Sequence, residues 1–235
     1  MQLGWQFKTP KRPRTPRRGR PRKYARGDSR HTKRPPLDPR TPVHITMRLA
    51  PAIRSARKFG LHRAIARATI TAAISANARI VHFSIQKTHL HAIVEADSAK
   101  ALSRGLQGFQ VSAAKRMNAV LRRSGPVFVD RFHARYLRTP TQTRHAIRYV
   151  LLNWRHHGLD RDGPLAGCRV DPFSSAPMFG GFTDYNTDQL VHIKRWPRTY
   201  DPLMVFYPRT WLLQRGWEER GGGAFSVWDT PGRLS

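Results

Sequence analysis

The stretch Val81-His82-Phe83-Ser84-Ile85-Gln86-Lys87-Thr88-His89-Leu90-His91-Ala92-Ile93-Val94-Glu95 holds two period-two alternations separated by a polar break. Val81, Phe83 and Ile85 alternate with His82 and Ser84; after Gln86-Lys87-Thr88, Leu90, Ala92 and Val94 fall on one side. Successive strand side chains point to opposite faces, so the pattern predicts a β hairpin with one face turned to a core. Upstream, Val43, Ile45, Met47 and Leu49 alternate with His44, Thr46 and Arg48 and predict an earlier strand, which Pro51 ends. From about Ser55 to Asn77 an Ala-rich run places Leu61, Ile65, Ala68 and Ala72 three or four residues apart, the spacing of an amphipathic helix. Beyond the hairpin, Leu102, Leu106, Phe109, Ala113 and Met117 mark a second helix, with Asp97 or Ser98 as its cap and Ser124-Gly125-Pro126 as its stop. An extended segment from roughly Val127 to Leu137 then leads to Thr139-Pro140-Thr141-Gln142. There a Thr cap, a Pro at the first helical position and a Gln three residues after the cap form a capping box for a last helix running to Gly158. The order β-α-β-β-α-β-α predicts an α+β, ferredoxin-like or RRM-like fold: an antiparallel sheet with helices packed on it.

Charge divides the 235 residues into three parts. Residues 1–40 carry 14 basic and two acidic residues with seven prolines, which cannot bury a core and predict a disordered basic arm. Residues 41–158 carry 20 basic residues against Glu95, Asp97 and Asp130, and form the predicted core. Residues 159–235 balance nine charges of each sign and read as an irregular C-terminal extension of loops and short helices. The whole chain has a net charge of +29. Lys and Arg that neutralise phosphates release condensed counterions, so the expected partner is a nucleic acid. Within the arm, Arg18-Gly19-Arg20-Pro21-Arg22-Lys23 has the Arg-Gly-Arg-Pro centre of an AT-hook, which lies along a narrow A·T-rich minor groove. No apolar run reaches the roughly 18 residues that span a bilayer. Met1 to Lys8 lacks the hydrophobic region of a signal peptide, and one cysteine, Cys168, cannot form an internal disulfide. These features predict no membrane partner and a cytoplasmic location.

Three acids are too few for a nuclease that holds two metal ions in a carboxylate cluster. Histidine is plentiful instead, with nine between residues 41 and 158. His89 and His91 are two apart on a predicted strand, so both imidazoles share a face while Leu90 packs inward. Two imidazoles alone are more often structural than ligating. On the last helix His145, Tyr149 and Asn153 recur every four residues and line one face, while Ile147, Val150, Leu151 and Trp154 supply the face that docks on the sheet. The Asn153 carbonyl oxygen is expected to complete a His-His-Asn ion site, with Tyr149 presented to a bound phosphate. Such a site pairs a Lewis-acid cation with a covalent phenolic nucleophile.

The hairpin stretch followed by Tyr149-Val150-Leu151-Leu152-Asn153 resembles the REP-associated tyrosine transposases, which belong with the insertion-sequence transposases of the His-hydrophobic-His, single-tyrosine kind. The resemblance covers about residues 41–158. It implies an enzyme that cuts and rejoins single-stranded or hairpin DNA through a 5′-phosphotyrosine link, releasing a 3′-hydroxyl. It implies His89 and His91 as the metal-binding pair, Tyr149 as the nucleophile, Asn153 as the amide one turn on, and Mg²⁺ or Mn²⁺ as the ion. A bacterial, nucleoid-associated setting and a monomer or homodimer are implied as well, since some relatives exchange the tyrosine helix between subunits. Two positions depart from the family: Thr88 stands where Asn commonly precedes the histidine pair, and Trp154 where Pro often follows the helical Asn. Neither removes a ligand or the nucleophile.

Further basic residues suggest a DNA track: Arg104, Lys115, Arg116, Arg122 and Arg123 along the second helix, Arg131, Arg135 and Arg138 around Phe132 and Tyr136, and Arg148 on the last helix. The rival reading is a non-catalytic DNA- or RNA-binding module on the same fold, with a ribosome-associated protein suggested by charge alone. Deleting residues 1–40 is expected to weaken DNA affinity and flatten its salt dependence without abolishing cleavage. Binding isotherms at graded salt check this, and loss of all cleavage by a folded truncation contradicts it.

Overall fold

Val43–Arg48 forms strand β1, and its apolar residues Val43, Ile45 and Met47 are wholly buried. The computed structural model describes residues 35–161, 165–186 and 205–232. The AT-hook-like stretch, with Arg18, Arg20, Arg22 and Lys23, lies outside them. Helix α1 (Phe59–Ala76) leads to β2 (Ala78–Ile85) and β3 (His89–Ala96), which make the expected hairpin. Helix α2 (Ala99–Val120), β4 (His133–Tyr136) and helix α3 (Pro140–His156) complete the predicted order. The sheet runs β2-β3-β1-β4 with every neighbouring pair antiparallel, the arrangement of a ferredoxin-like fold.

Each sheet face has its own core. On one, Val43, Ile45, Met47, Leu90, Ala92 and Val94 pack with Leu61 and Ile65 of α1 and with Leu102, Leu106, Phe109, Ala113 and Met117 of α2. On the other, Ala146, Ile147, Val150 and Leu151 of α3 share a cluster with Val81 and Ile93. Of the two cap candidates for α2 the structure uses Ser98, and Thr139 caps α3 as expected. Ser98 accepts from the Ala101 amide, and Thr139 accepts from the Gln142 amide with Pro140 opening the helix. Gln142 Oε1 reaches back one residue beyond the cap, to the Arg138 amide at 3.0 Å.

Three boundaries differ from the expectation. Helix α1 begins at Phe59 rather than near Ser55, because the preceding turn is pulled away: the Ala56 amide donates to the Lys87 carbonyl and the Arg57 guanidinium binds Asp171. Strand β4 is four residues long; Phe128 makes only an isolated bridge to Leu49, and pairing with β1 begins at His133. The core also starts before residue 41. Leu37 is buried in it and the Tyr136 hydroxyl donates to the Pro35 carbonyl, so a deletion of the arm that spares the core ends at residue 34.

The C-terminal extension covers the outer edge of β2. Backbone bonds run from Ile85 to Phe173, from Ser175 to Phe83 and from Phe206 to Ile80. An uncovered edge strand invites pairing with other chains, and this segment closes it. Its anchor is the ion pair of Arg57 with Asp171, bidentate at 2.7 and 3.0 Å, with both side chains buried. Removing one partner strands a buried charge, so Asp171→Ala is expected to destabilise the fold by about 3–5 kcal/mol, measured by urea denaturation. A loss under ~1 kcal/mol, typical of an exposed pair, would show that water reaches the guanidinium.

Candidate active site

The β1–β3 register sets Thr46 directly opposite His91 and Arg48 opposite His89. Directly paired residues project to the same side of a sheet, so these four face α3, together with His44 one step along β1. His91 Nδ1 lies 3.2 Å from both His44 Nε2 and Thr46 Oγ1. The His44 and His91 rings stack with centroids 5.2 Å apart, and the His89 ring meets His91 edge-on at 4.6 Å. Thr88 Oγ1 sits 3.3 Å from His89 Nδ1, so the hydroxyl at the position where the family commonly has Asn contacts the imidazole.

Helix α3 crosses this patch. The Tyr149 ring lies 5.1 Å from His91 and 6.0 Å from His44, both edge-on, and His157, the cap residue two turns further, lies 6.3 Å from His89. Asn153 is one turn from each, on the face that runs between them. It is completely buried, and neither its Oδ1 nor its Nδ2 has a hydrogen-bond partner. His91 Nε2 is likewise buried and unpartnered. Buried polar atoms are normally satisfied, so the unpaired atoms of Asn153 and His91 are open to a polar or cationic partner. His145, which opens the same helical series, is exposed.

Electrostatics keep the imidazoles neutral. Burial lowers the pKa of His44 and His89 to about 4, with Arg135 adding to the shift at His44 and His157 and Arg48 adding to it at His89. Burial also holds His91 well below its ordinary value, helped by His44, His89 and His157. Neutral imidazoles are the ligating form. Burial also raises the Tyr149 phenol above its usual value, so it is protonated at neutral pH. Among the described residues no three His, Cys, Asp or Glu side chains converge for a metal ion, so an ion here would need the amide and water or substrate oxygens.

The expected basic residues do not all meet this patch. Arg135 opposes His44 across β1 and β4, and Arg148 reaches Asp229 at 3.7 Å. Arg104, Lys115 and Arg116 are exposed on α2, which covers the other face of the sheet; Arg122 and Arg123 follow its end, where Arg123 binds Asn118 and the Pro126 carbonyl. Arg131 and Arg138 are exposed on either side of β4. The single cationic track therefore becomes two basic regions on opposite faces. His44, Thr46 and His157 escaped the sequence reading as site residues. His157 continues the four-residue series of α3, but nothing local told that β1 would bring His44 and Thr46 against His91.

Fold and site together define an α+β protein with a sheet face of neutral imidazoles beneath a tyrosine-bearing helix. No family model matches the chain, and no curated protein matches it. Among solved structures, it is similar to a REP-associated tyrosine transposase bound to a REP hairpin, with a TM-score of 0.51 and 15% sequence identity over 76% of this chain and 97% of that one. The chain thus has a transposase-like fold. No helix among the described residues is long and apolar enough to cross a membrane.

Buried imidazoles with lowered pKa values also link stability to pH. The unfolded chain binds their protons near the ordinary value of 6.5, whereas folded His44, His82 and His89 wait until about 4. The stability present above 6.5 is therefore lost as pH falls through that window. Thermal midpoints followed by circular dichroism are expected to hold level above pH 6.5 and to fall below it; a level midpoint down to about 4 would mean that these rings are hydrated in the folded state.

Proposed function

We propose that this protein is a metal-dependent DNA-nicking and rejoining enzyme of the tyrosine transposase type, acting on single-stranded or hairpin DNA. The observation that carries the reading is the placement of Tyr149 at 5.1 Å from His91, which itself adjoins His89, with the unpartnered Asn153 amide one turn along the same helix. Chain-distant residues of the types this chemistry uses meet at one helix–sheet junction, and the transposase-like fold is consistent with that use.

Mg²⁺ or Mn²⁺ fits the donors present. His89 Nδ1 and His91 Nδ1 face neighbouring side chains, which leaves the Nε2 atoms to ligate, and the Asn153 carbonyl oxygen is free to join them. Two imidazoles and an amide suit a hard cation that keeps several oxygen ligands of its own. When bound, the cation supplies Lewis-acid stabilisation of charge on the scissile phosphate. The Tyr149 oxygen attacks phosphorus and releases its proton to water. The new tyrosine–phosphate bond holds the 5′ end of the downstream fragment, and the broken bond leaves a 3′-oxygen on the upstream fragment that takes up a proton. Rejoining reverses these events with a 3′-hydroxyl as nucleophile. Arg135, paired with His44, and Arg48, paired with His89, are the cations that would meet the flanking backbone phosphates in this reading.

The test is incubation of labelled hairpin and linear single strands with Mn²⁺, comparing the native chain with Tyr149→Phe. A covalent protein–DNA adduct is expected from the native chain and not from the variant. An adduct formed equally by both removes Tyr149 from its role. DNA binding with no adduct and no cleavage from the native chain favours the non-catalytic module.

A further inference from the structure

The nitrogen of His91 that points away from the helix governs what the other nitrogen can bind. A neutral imidazole carries one N–H and one lone pair. At His91, Nδ1 has two possible partners on β1, His44 Nε2 and Thr46 Oγ1, each at 3.2 Å, whereas buried Nε2 has none. A proton on Nε2 would bury an N–H without an acceptor; a proton on Nδ1 has two acceptors in reach. We infer that His44 and Thr46 are positioning residues that hold His91 as its Nδ1–H tautomer and so leave the Nε2 lone pair free for a divalent cation. Metal ligands of this kind commonly depend on a hydrogen bond at the far ring nitrogen.

The two partners sit on an interior strand. Strand β1 is interior to the sheet, paired with β3 on one side and β4 on the other, so its backbone cannot drift from His91. Thr46 is in direct register with His91, and His44 is 7% exposed and stacked on the His91 ring with planes 24° apart. The same His44 ring meets Tyr149 edge-on. One side chain thus braces the proposed ligand and the proposed nucleophile together. The use made of the free lone pair rests on the metal-assisted reading above; the tautomer does not.

The experiment separates the two. In ¹⁵N-labelled, metal-free full-length protein, long-range nitrogen–proton correlation spectra of His91 are expected to show a protonated, pyrrole-type Nδ1 and a pyridine-type Nε2. His44→Phe combined with Thr46→Val removes both acceptors and is expected to shift the ring toward the Nε2–H form. Calorimetric Mn²⁺ affinity should fall with it by roughly 10- to 100-fold. His44→Gln, whose amide oxygen still accepts, should retain the native tautomer and most of the affinity. If the double variant does not fold by circular dichroism, Thr46→Val alone is expected to give a partial shift. A pyrrole-type Nε2 in the native protein, or native ring shifts in the folded double variant (in Thr46→Val, where the double variant does not fold), overturns the inference. Native protein with the expected ring shifts but no Mn²⁺ binding supports the tautomer and overturns the metal reading.

Discussion

The apolar face of α3 must bury against Val81 and Ile93, and everything at the candidate site depends on that docking. Ile147, Val150, Leu151 and Trp154 are each fully removed from water, a contribution of ~1.5–3 kcal/mol apiece. With that face fixed, helical geometry leaves Tyr149, Asn153 and His157 no freedom to face elsewhere. They come down along the β1–β3 pair, whose own inward face is fixed by Val43, Ile45, Met47, Leu90, Ala92 and Val94. A one-residue slip in either element would turn the imidazoles into the core, so the same hydrophobic burial that stabilises the fold also registers the site.

Three buried or half-buried carboxylates, Glu95 of the core and Asp160 and Asp171 of the extension, are taken up by structure. Glu95 accepts from Arg79 and from the backbone and hydroxyl of Thr210, and Asp171, in the extension, holds Arg57. Asp160 holds Arg155, whose guanidinium also reaches the carbonyls of Val227 and Arg169. Among the described residues no carboxylate adds to the protonation of His44, His89 or His91, while burial opposes it at all three and arginines oppose it at His44 and His89. A site built this way presents neutral nitrogen lone pairs in a basic protein, an arrangement that suits the proposed phosphate substrate.

Much of this was legible in sequence because it is local. The alternations of Val43–Leu49 and Val81–Glu95 gave the strands, three-to-four spacing gave the helices, and Ser98 and Thr139 marked two helix starts by their side-chain oxygens. The His89–His91 pair and the Tyr149–Asn153 turn stand out for the same reason, since each is a short-range pattern on one element. The α1 start was misplaced because Arg57 answers to Asp171, far along the chain, and β4 was overestimated because pairing with β1, rather than extended conformation, determines a strand.

What the sequence determined by itself was the set of elements, their order, and the inward side of most of them, because periodicity and capping act within a few residues; in β2 an irregularity between Ile80 and His82 turns Val81 to the α3 face, away from Phe83 and Ile85 with which it alternates. Only the tertiary structure decided that His44 and Thr46 stand against His91, that Tyr149 approaches from above, and that the extension seals β2 while the basic residues of α2 fall on the opposite face. Those facts follow from strand order and helix docking, which are set by burying two apolar sheet faces at once, and no stretch of chain carries that information alone.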